Sequence, residues 1–307
     1  MREILIAGTV CWDRLIRVPE FPRPGQYIDA LEVREGPGGE AYNTAFGLLQ
    51  LGMSALVYGN PIGSGLAADR LRQGVEKVGL RRVVLPGGRN RVPQCDILVT
   101  PDGQRTMLGD GFTELAELTA NLHVSPLRGG IISGDMNLGE SIWRIYDLGR
   151  AAGMMIYAMD SPPRALGPTS YYQTSTDWVG KPGIESDNCA AAHQMATITE
   201  GTVILTDGNR GFYVGNPRGA VRLPAFPISG VVDTTGAGDA FRAGMLFSLA
   251  HSWPLGQSLA FASLVGGLAC RDLGATGSCA TRAEVEQQVA QHRPIYDEIL
   301  RLTALLN

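Results

Sequence analysis

Short apolar runs alternate with amphipathic stretches along most of this chain. Residues 4–7, 55–58, 130–133, 154–158 and 203–206 are runs of four or five mostly apolar positions. Runs that short, closed by glycine or polar residues, predict buried strands. Between and after them, apolar positions recur every three or four residues over 45–51, 66–78, 140–152, 240–250, 257–270 and 284–306. That period predicts helices, the last of them a single closing helix with one polar and one apolar face. Strand and helix alternating in this way predict an α/β fold: three α/β/α layers around a mostly parallel sheet.

Two stretches break the pattern. Residues 14–37 hold LIRVPEF and YIDALEV, extended segments interrupted by Pro22, Pro24 and Gly25. Residues 94–100 and 105–108 flank Pro101, Asp102 and Gly103, a hairpin turn. Neither stretch has the apolar mass for a core of its own. The expectation is one domain over residues 1–307, with a small β flap built from about 14–37 and 93–109.

Composition narrows the function. Of 307 residues, 44% are hydrophobic and 18% charged, enough apolar content for a sizeable core. Net charge is −4 and no dense Lys/Arg run occurs, which argues against a nucleic-acid partner. No apolar run approaches a membrane span, and the N-terminus shows no signal-peptide cleavage pattern. The five cysteines are scattered, with no CxxC and no histidine at metal spacing, as expected of reduced thiols in a cytoplasmic protein. The four histidines (His123, His193, His251, His292) are isolated and read as structural or surface residues.

The stretch that carries chemistry is DTTGAGDAF, Asp233 to Phe241. Val231 and Val232 read as the end of an extended segment, followed by a glycine turn and a helix. Unpaired N–H groups at such a helix start bind an anion. An acid in the first turn is expected to stay ionised, because the helix dipole favours negative charge there. An anion cradle beside a carboxylate suits phosphoryl transfer to a hydroxyl. A bare GxGD is more often just a capped helix; the longer string is more specific.

That string resembles the C-terminal signature of the ribokinase-like (pfkB-type) carbohydrate kinases. The resemblance implies that Asp239 is the catalytic base and that Gly236, Ala237 and Gly238 line the anion hole. It implies ATP and Mg²⁺ as cofactors, a hydroxymethyl group of a small sugar as acceptor, and flap strands that serve as a lid and as a homodimer contact. Asp13 follows the first strand; by itself it reads equally well as a surface-loop acid, but the family places an acid there to hold sugar hydroxyls. Gly38, Gly39, Asn43 and Ala45 match the family's G-G-x-x-x-N-x-A, whose residues bind sugar hydroxyls. Thr206, Gly208 and Gly211 match T-x-G-x-x-G, which approaches nucleotide phosphates. Gly274 and Ala275 fall where family members wall the adenine pocket and, in some, hold a monovalent cation.

There are departures. Glu40 stands where many ribokinases have Lys, and Tyr42 is bulky beside the site, so the sugar is left open. Gly65 replaces the Asp of G-x-D-x-x-G, and Pro162 the Asn of D-x-N-x-R, between Asp160 and Arg164. The pair Asp160–Arg164 reads best as structural. The P-N-x-x-E that organises water around Mg²⁺ is missing: Pro182 is followed by Gly183 and Ser186, with Glu185 or Asp187 left to serve through water. Two other readings stay open. One is a nucleoside kinase of the same family, with Tyr42 or another lid aromatic stacked on a base. The other is a non-catalytic sugar-binding regulator, which the missing N-x-x-E favours and the intact Asp239 opposes. A nicotinamide dehydrogenase is discounted, since GTVCWD supplies no GxGxxG after the first strand, and no Walker A motif occurs.

Overall fold

The computed structural model describes residues 1–87, 91–113, 115, 127–160, 167–179 and 183–306. Strands β1 (Ile4–Gly8), β4 (Leu56–Gly59), β5 (Val83–Val84), β8 (Ile131–Asp135), β9 (Met155–Met159), β10 (Tyr171–Ser175), β11 (Thr202–Thr206), β12 (Phe212–Asn216) and β13 (Gly219–Leu223) form one sheet. Its order is β13-β12-β11-β10-β9-β8-β1-β4-β5, parallel except where β12 pairs with β11 and with β13. Alternation along each strand feeds two cores. Ile4 and Ile6 of β1 face one, Leu5 and Ala7 the other. On the first face lie helices α1 (Glu40–Gln50), α2 (Leu66–Lys77), α5 (Ala237–Ala250) and α6 (Leu255–Ala269); on the second, α3 (Ser141–Ala151) and α4 (Glu185–Thr199). The three-layer arrangement is as expected from the sequence.

Helix α5 is the inner post of the first layer. All twelve residues from Asp239 to Ala250 are buried, because α1, α6 and the sheet enclose it. A helix enclosed on every side needs no polar face, which is why its sequence is apolar nearly all round.

The lid is a separate sheet of order β3-β2-β6-β7, made of β2 (Cys11–Arg17), β3 (Glu32–Gly38), β6 (Gln94–Val99) and β7 (Arg105–Asp110). Its inner face carries Leu15, Cys95, Ile97 and Val99, packed with Leu273 and Phe112.

Several expectations need correcting. Asp13 is inside lid strand β2, opposite Gly36 and Cys95, and not in a loop after β1. Gly36 to Gly38 are the end of β3, and the turn into α1 is left to Gly39 alone, at φ +93°. The second flap strand begins only at Glu32, since residues 27–30 are exposed or half-buried and pair with nothing. No strand precedes the 236 turn; Val232 and Asp233 hang from the Cys270 carbonyl. The closing segment is two helices, α7 (Arg282–Gln291) and α8 (Arg293–Thr303), because Pro294 lacks the N–H that would continue the first. Helix α4 and strands β5, β10, β12 and β13 were not read from the sequence at all.

Candidate active site

The turn at the head of α5 is held from below by Asp233, which has no exposure. Its Oδ1 accepts from the N–H (2.9 Å) and the hydroxyl (2.7 Å) of Thr235, and its Oδ2 from the N–H of Gly274 (2.8 Å). Gly236 caps the helix at φ +75°, its α-carbon against Ala275. No side chain caps α5. The Ala237 N–H leans back on the Thr234 carbonyl at 3.3 Å, so the open donors of the first turn are those of Gly238 and Asp239. These two N–H groups lie at the positive end of a fourteen-residue helix, where negative charge is favoured. Gln173 of β10 fixes the turn from the other side, donating to the Gly238 carbonyl at 2.9 Å.

Asp239 faces α1. Its Oδ2 accepts from Asn43 Nδ2 at 3.0 Å and its Oδ1 from Arg242 Nη2 at 3.2 Å. The helix dipole, expected to hold this acid's pKa down, does not decide it. Burial is the largest influence and lifts the carboxyl to about 6, against the pull of Arg242 and Asn43. The helix dipole is a contribution of a few tenths to about one kcal/mol, and it loses to desolvation at this depth. Asn43, expected to bind substrate, spends its amide on this acid. Three more acids surround the pair. Asp135, at the end of β8, is fully buried and takes the Thr9 N–H at 2.8 Å. Glu40 opens α1, and Asp160 follows β9 with a buried oxygen that has no hydrogen-bond partner. Arg164, its expected partner, and Pro162 lie outside the described residues.

On the lid side, Asp13 is 9% exposed and accepts one bond, from the Cys11 thiol at 3.0 Å. Its carboxylate rests on Gly38, where any side chain would overlap it. The Tyr42 hydroxyl is pushed up by burial, then by the charges of Cys279 and Asp13; Cys279 is pushed up to about 12 by burial, then by Asp239. Asp13, Tyr42, Cys279 and Asp239 thus form a chain of neighbours from the lid to α5. The Tyr42 ring is 3% exposed and stacked on Phe46, so it has no free face for a nucleobase.

Burial lifts Asp13 to about 6. The folded chain therefore holds this proton more tightly than the unfolded one. The stability it lends is present below the unfolded value near 3.8 and is lost as pH rises through about 6. A two-unit shift corresponds to about 3 kcal/mol. The Asp13→Asn variant is expected to gain up to that much on the wild type between about pH 4 and 7. Denaturant unfolding at both pH values checks it; equal pH slopes for the two proteins would count against the burial argument.

Around the expected nucleotide loop, Thr206 Oγ1 donates to the Thr174 carbonyl at 3.2 Å, and Gly208 and Gly211 both have positive φ, 57° and 106°. The hub is Asp207, which the sequence reading passed over. It takes the Thr176 hydroxyl (2.8 Å), the Gly183 N–H (3.0 Å) and Arg210 (2.6 Å). Burial raises its carboxyl, but these bonds outweigh it and the net shift is downward. Phe212 abuts Phe241 edge-on, joining this hairpin to α5. Glu185 is paired with Arg222 at 3.1 Å, and Asp187 sits in the same first turn of α4. Residues 180–182 lie outside the described residues. Among the described residues no three His, Cys, Asp or Glu side chains converge to hold a metal. The cysteines are free. Gly274 and Ala275 underpin the 236 turn, and Gly274 also touches Leu15 of the lid.

Residues 176–282 match the family model described as pfkB family carbohydrate kinase. The matched segment includes both the Asp207 hub and the Asp239 turn. This match and the fold support a ribokinase-like pfkB carbohydrate kinase. Relatives extend the likeness over nearly the whole of the chain. An acarbose 7(IV)-phosphotransferase from an Actinoplanes strain is 29% identical, covering 95% of this chain and 98% of the relative. The ribokinase of Bacillus subtilis is 24% identical over 94% and 99%. An Arabidopsis thaliana ribokinase, solved with ribose and ATP, shares the fold at TM-score 0.78 and 17% identity over 94% of this chain and 99% of that one. The names of these relatives, together with the family match, support an ATP-dependent carbohydrate kinase. No helix among the described residues is long and apolar enough to cross a membrane. Beside the family signature the chain carries three buried charged groups that no motif pointed to: Asp135, Asp207 and Arg242.

Proposed function

We propose that the protein transfers the γ-phosphoryl group of ATP to a hydroxymethyl group of a small sugar. The observation that supports this most is the pairing of bare Gly238 and Asp239 N–H donors with the Asp239 carboxylate in one helix turn. The donors stabilise charge on the phosphoryl group in flight. Asp239 takes the hydroxyl proton as the bond to phosphorus forms. The sugar lies between Asp239 and the lid, where Asp13 accepts its other hydroxyls. Gly38 makes room for the Asp13 carboxylate, Gly39 lets the chain turn into α1 against the Thr9 carbonyl, and the Asn43 amide holds the base. Thr206, Gly208 and Gly211 approach the nucleotide from the β11–β12 hairpin, and Gly274 with Ala275 walls its far side. When bound, Mg²⁺ neutralises phosphate charge. Among the described residues no cage of protein ligands is there to receive it, and Glu185 or Asp187 would reach it only through water.

A sugar is favoured over a nucleoside because Tyr42, the aromatic residue closest in sequence to Asn43, is stacked on Phe46 inside the core. The test is a panel of pentoses, hexoses, aminocyclitols and nucleosides with ATP and Mg²⁺, read by phosphate transfer and by melting shift. Transfer to at least one sugar is expected. Transfer to nucleosides alone would replace the reading, and sugar-induced melting shifts without any transfer would make the protein a binder on a kinase scaffold.

A further inference from the structure

Both oxygens of the Asp239 carboxylate are occupied before any substrate arrives, Oδ2 by Asn43 and Oδ1 by Arg242. Arg242 stands one turn further along α5 and has no exposed surface. Its Nε donates to Thr44 Oγ1 at 2.7 Å, and its Nη2 also to the Glu40 carbonyl at 2.6 Å. Thr44 and Glu40 belong to α1. The guanidinium therefore pins the helix that carries the acid to the helix that carries Asn43, under the floor of the site.

Its electrostatic position is equally specific. Glu40 of α1, Asp135 of β8, Asp160 beyond β9 and Asp239 of α5 each feel its positive charge. Cys279, in the loop before α7, also faces Asp239, while Tyr146 of α3 and Tyr157 of β9 face the guanidinium. Four carboxylates thus share one cation. A structural tie alone would be poorly served by this residue. Arg242 Nη1 is buried with no hydrogen-bond partner, 3.9 Å from a Glu40 oxygen that also has none. Buried donors left unmade cost stability, and buried ion pairs often stabilise no better than apolar residues of the same size. The cost is accepted next to the one acid that the chemistry uses.

Building on the reading of Asp239 as the base, we propose that Arg242 is a positioning residue for phosphoryl transfer. It fixes the rotamer of Asp239 and supplies the positive charge that keeps that carboxylate unprotonated among three other acids. Two full-length variants test it, Arg242→Gln and Arg242→Lys, each followed as kcat and kcat/KM from about pH 5 to about pH 9. In Arg242→Gln the acidic limb of kcat/KM moves up by about one pH unit, kcat near pH 7 drops about tenfold or more, and raising the pH recovers part of it. KM for the sugar stays within about twofold, since the residue touches no substrate. Arg242→Lys keeps the charge but loses the fork, so its acidic limb stays in place while kcat falls several-fold. A wild-type acidic limb in Arg242→Gln, or a wild-type kcat in Arg242→Lys, overturns the proposal. Should the glutamine variant not fold, the lysine variant decides: reduced kcat at unchanged KM supports the role, and unchanged kcat ends it. Failure of the underlying reading is seen separately, as substantial turnover in Asp239→Asn.

Discussion

Asp239→Asn is expected to bind sugar as the wild type does and to turn over about 10³-fold more slowly. The amide is nearly isosteric with the acid and can still accept from Asn43, so the hollow keeps its shape. What it lacks is the second acceptor oxygen and the ability to carry a proton away. One of the two donors, Asn43 or Arg242, then loses a partner, which costs about 1–3 kcal/mol of stability without emptying the pocket. Turnover assays give the first number and calorimetric titration with the sugar the second. In the wild type, the lift of Asp239 to about 6 makes kcat/KM fall as pH drops below that value, because only the unprotonated carboxylate can accept. The variant should lack this limb. Undiminished turnover in Asp239→Asn would remove the acid from the mechanism and with it the proposed reaction.

Gly236→Ala is expected to strike the other half of the site. The residue has φ +75°, a conformation that costs any L side chain about one kcal/mol or more. A β-carbon there would also stand 2.6 Å from the Ala275 α-carbon, which is backbone and cannot step aside. The turn must therefore open, swinging the Gly238 and Asp239 N–H groups off the phosphoryl position. Loss of one such donor in other acyl and phosphoryl sites costs about 10² in rate. The expected result is a drop of about 10² or more in kcat/KM for ATP, with sugar affinity nearly unchanged and about 1–3 kcal/mol lost in denaturant unfolding. A variant with wild-type ATP kinetics would show that the peptide groups of this turn do not hold the transferred group.

What could be read from the chain was whatever is local. The strand runs at β1, β4, β8, β9 and β11, the 101–103 turn and the DTTGAGD string announce themselves in a few adjacent residues. What escaped depends on partners far along the sequence. Helix α4 was missed because apolar and polar positions mix on every side of it; it is held by the sheet, not by a strong amphipathic stripe. Asp13 was placed at the mouth of the first strand, but the chain passes straight from β1 into the lid. Thr9 and Val10 make that passage by bonding Asp135 and Asn60, residues far along the chain. The direction of the Asp239 shift was missed for the same reason. The dipole of its own helix is visible in sequence, while the burial created by α1, α6 and three distant acids is not. Arg242 could have been suspected: a charged residue in AFRAGMLFSLA, an otherwise apolar run, has to be paired inside or misplaced.

Helix α5 is enclosed along its whole length, whereas the lid rests on a cluster of a few residues and leaves β7 wholly exposed. Such a lid opens at far lower free energy than the helix could. On the proposed reading, the phosphoryl chemistry is mounted on the most enclosed helix and the sugar contacts on a sheet with one face open. Substitutions in the lid strands are then expected to alter which polyol is accepted sooner than they alter phosphoryl transfer.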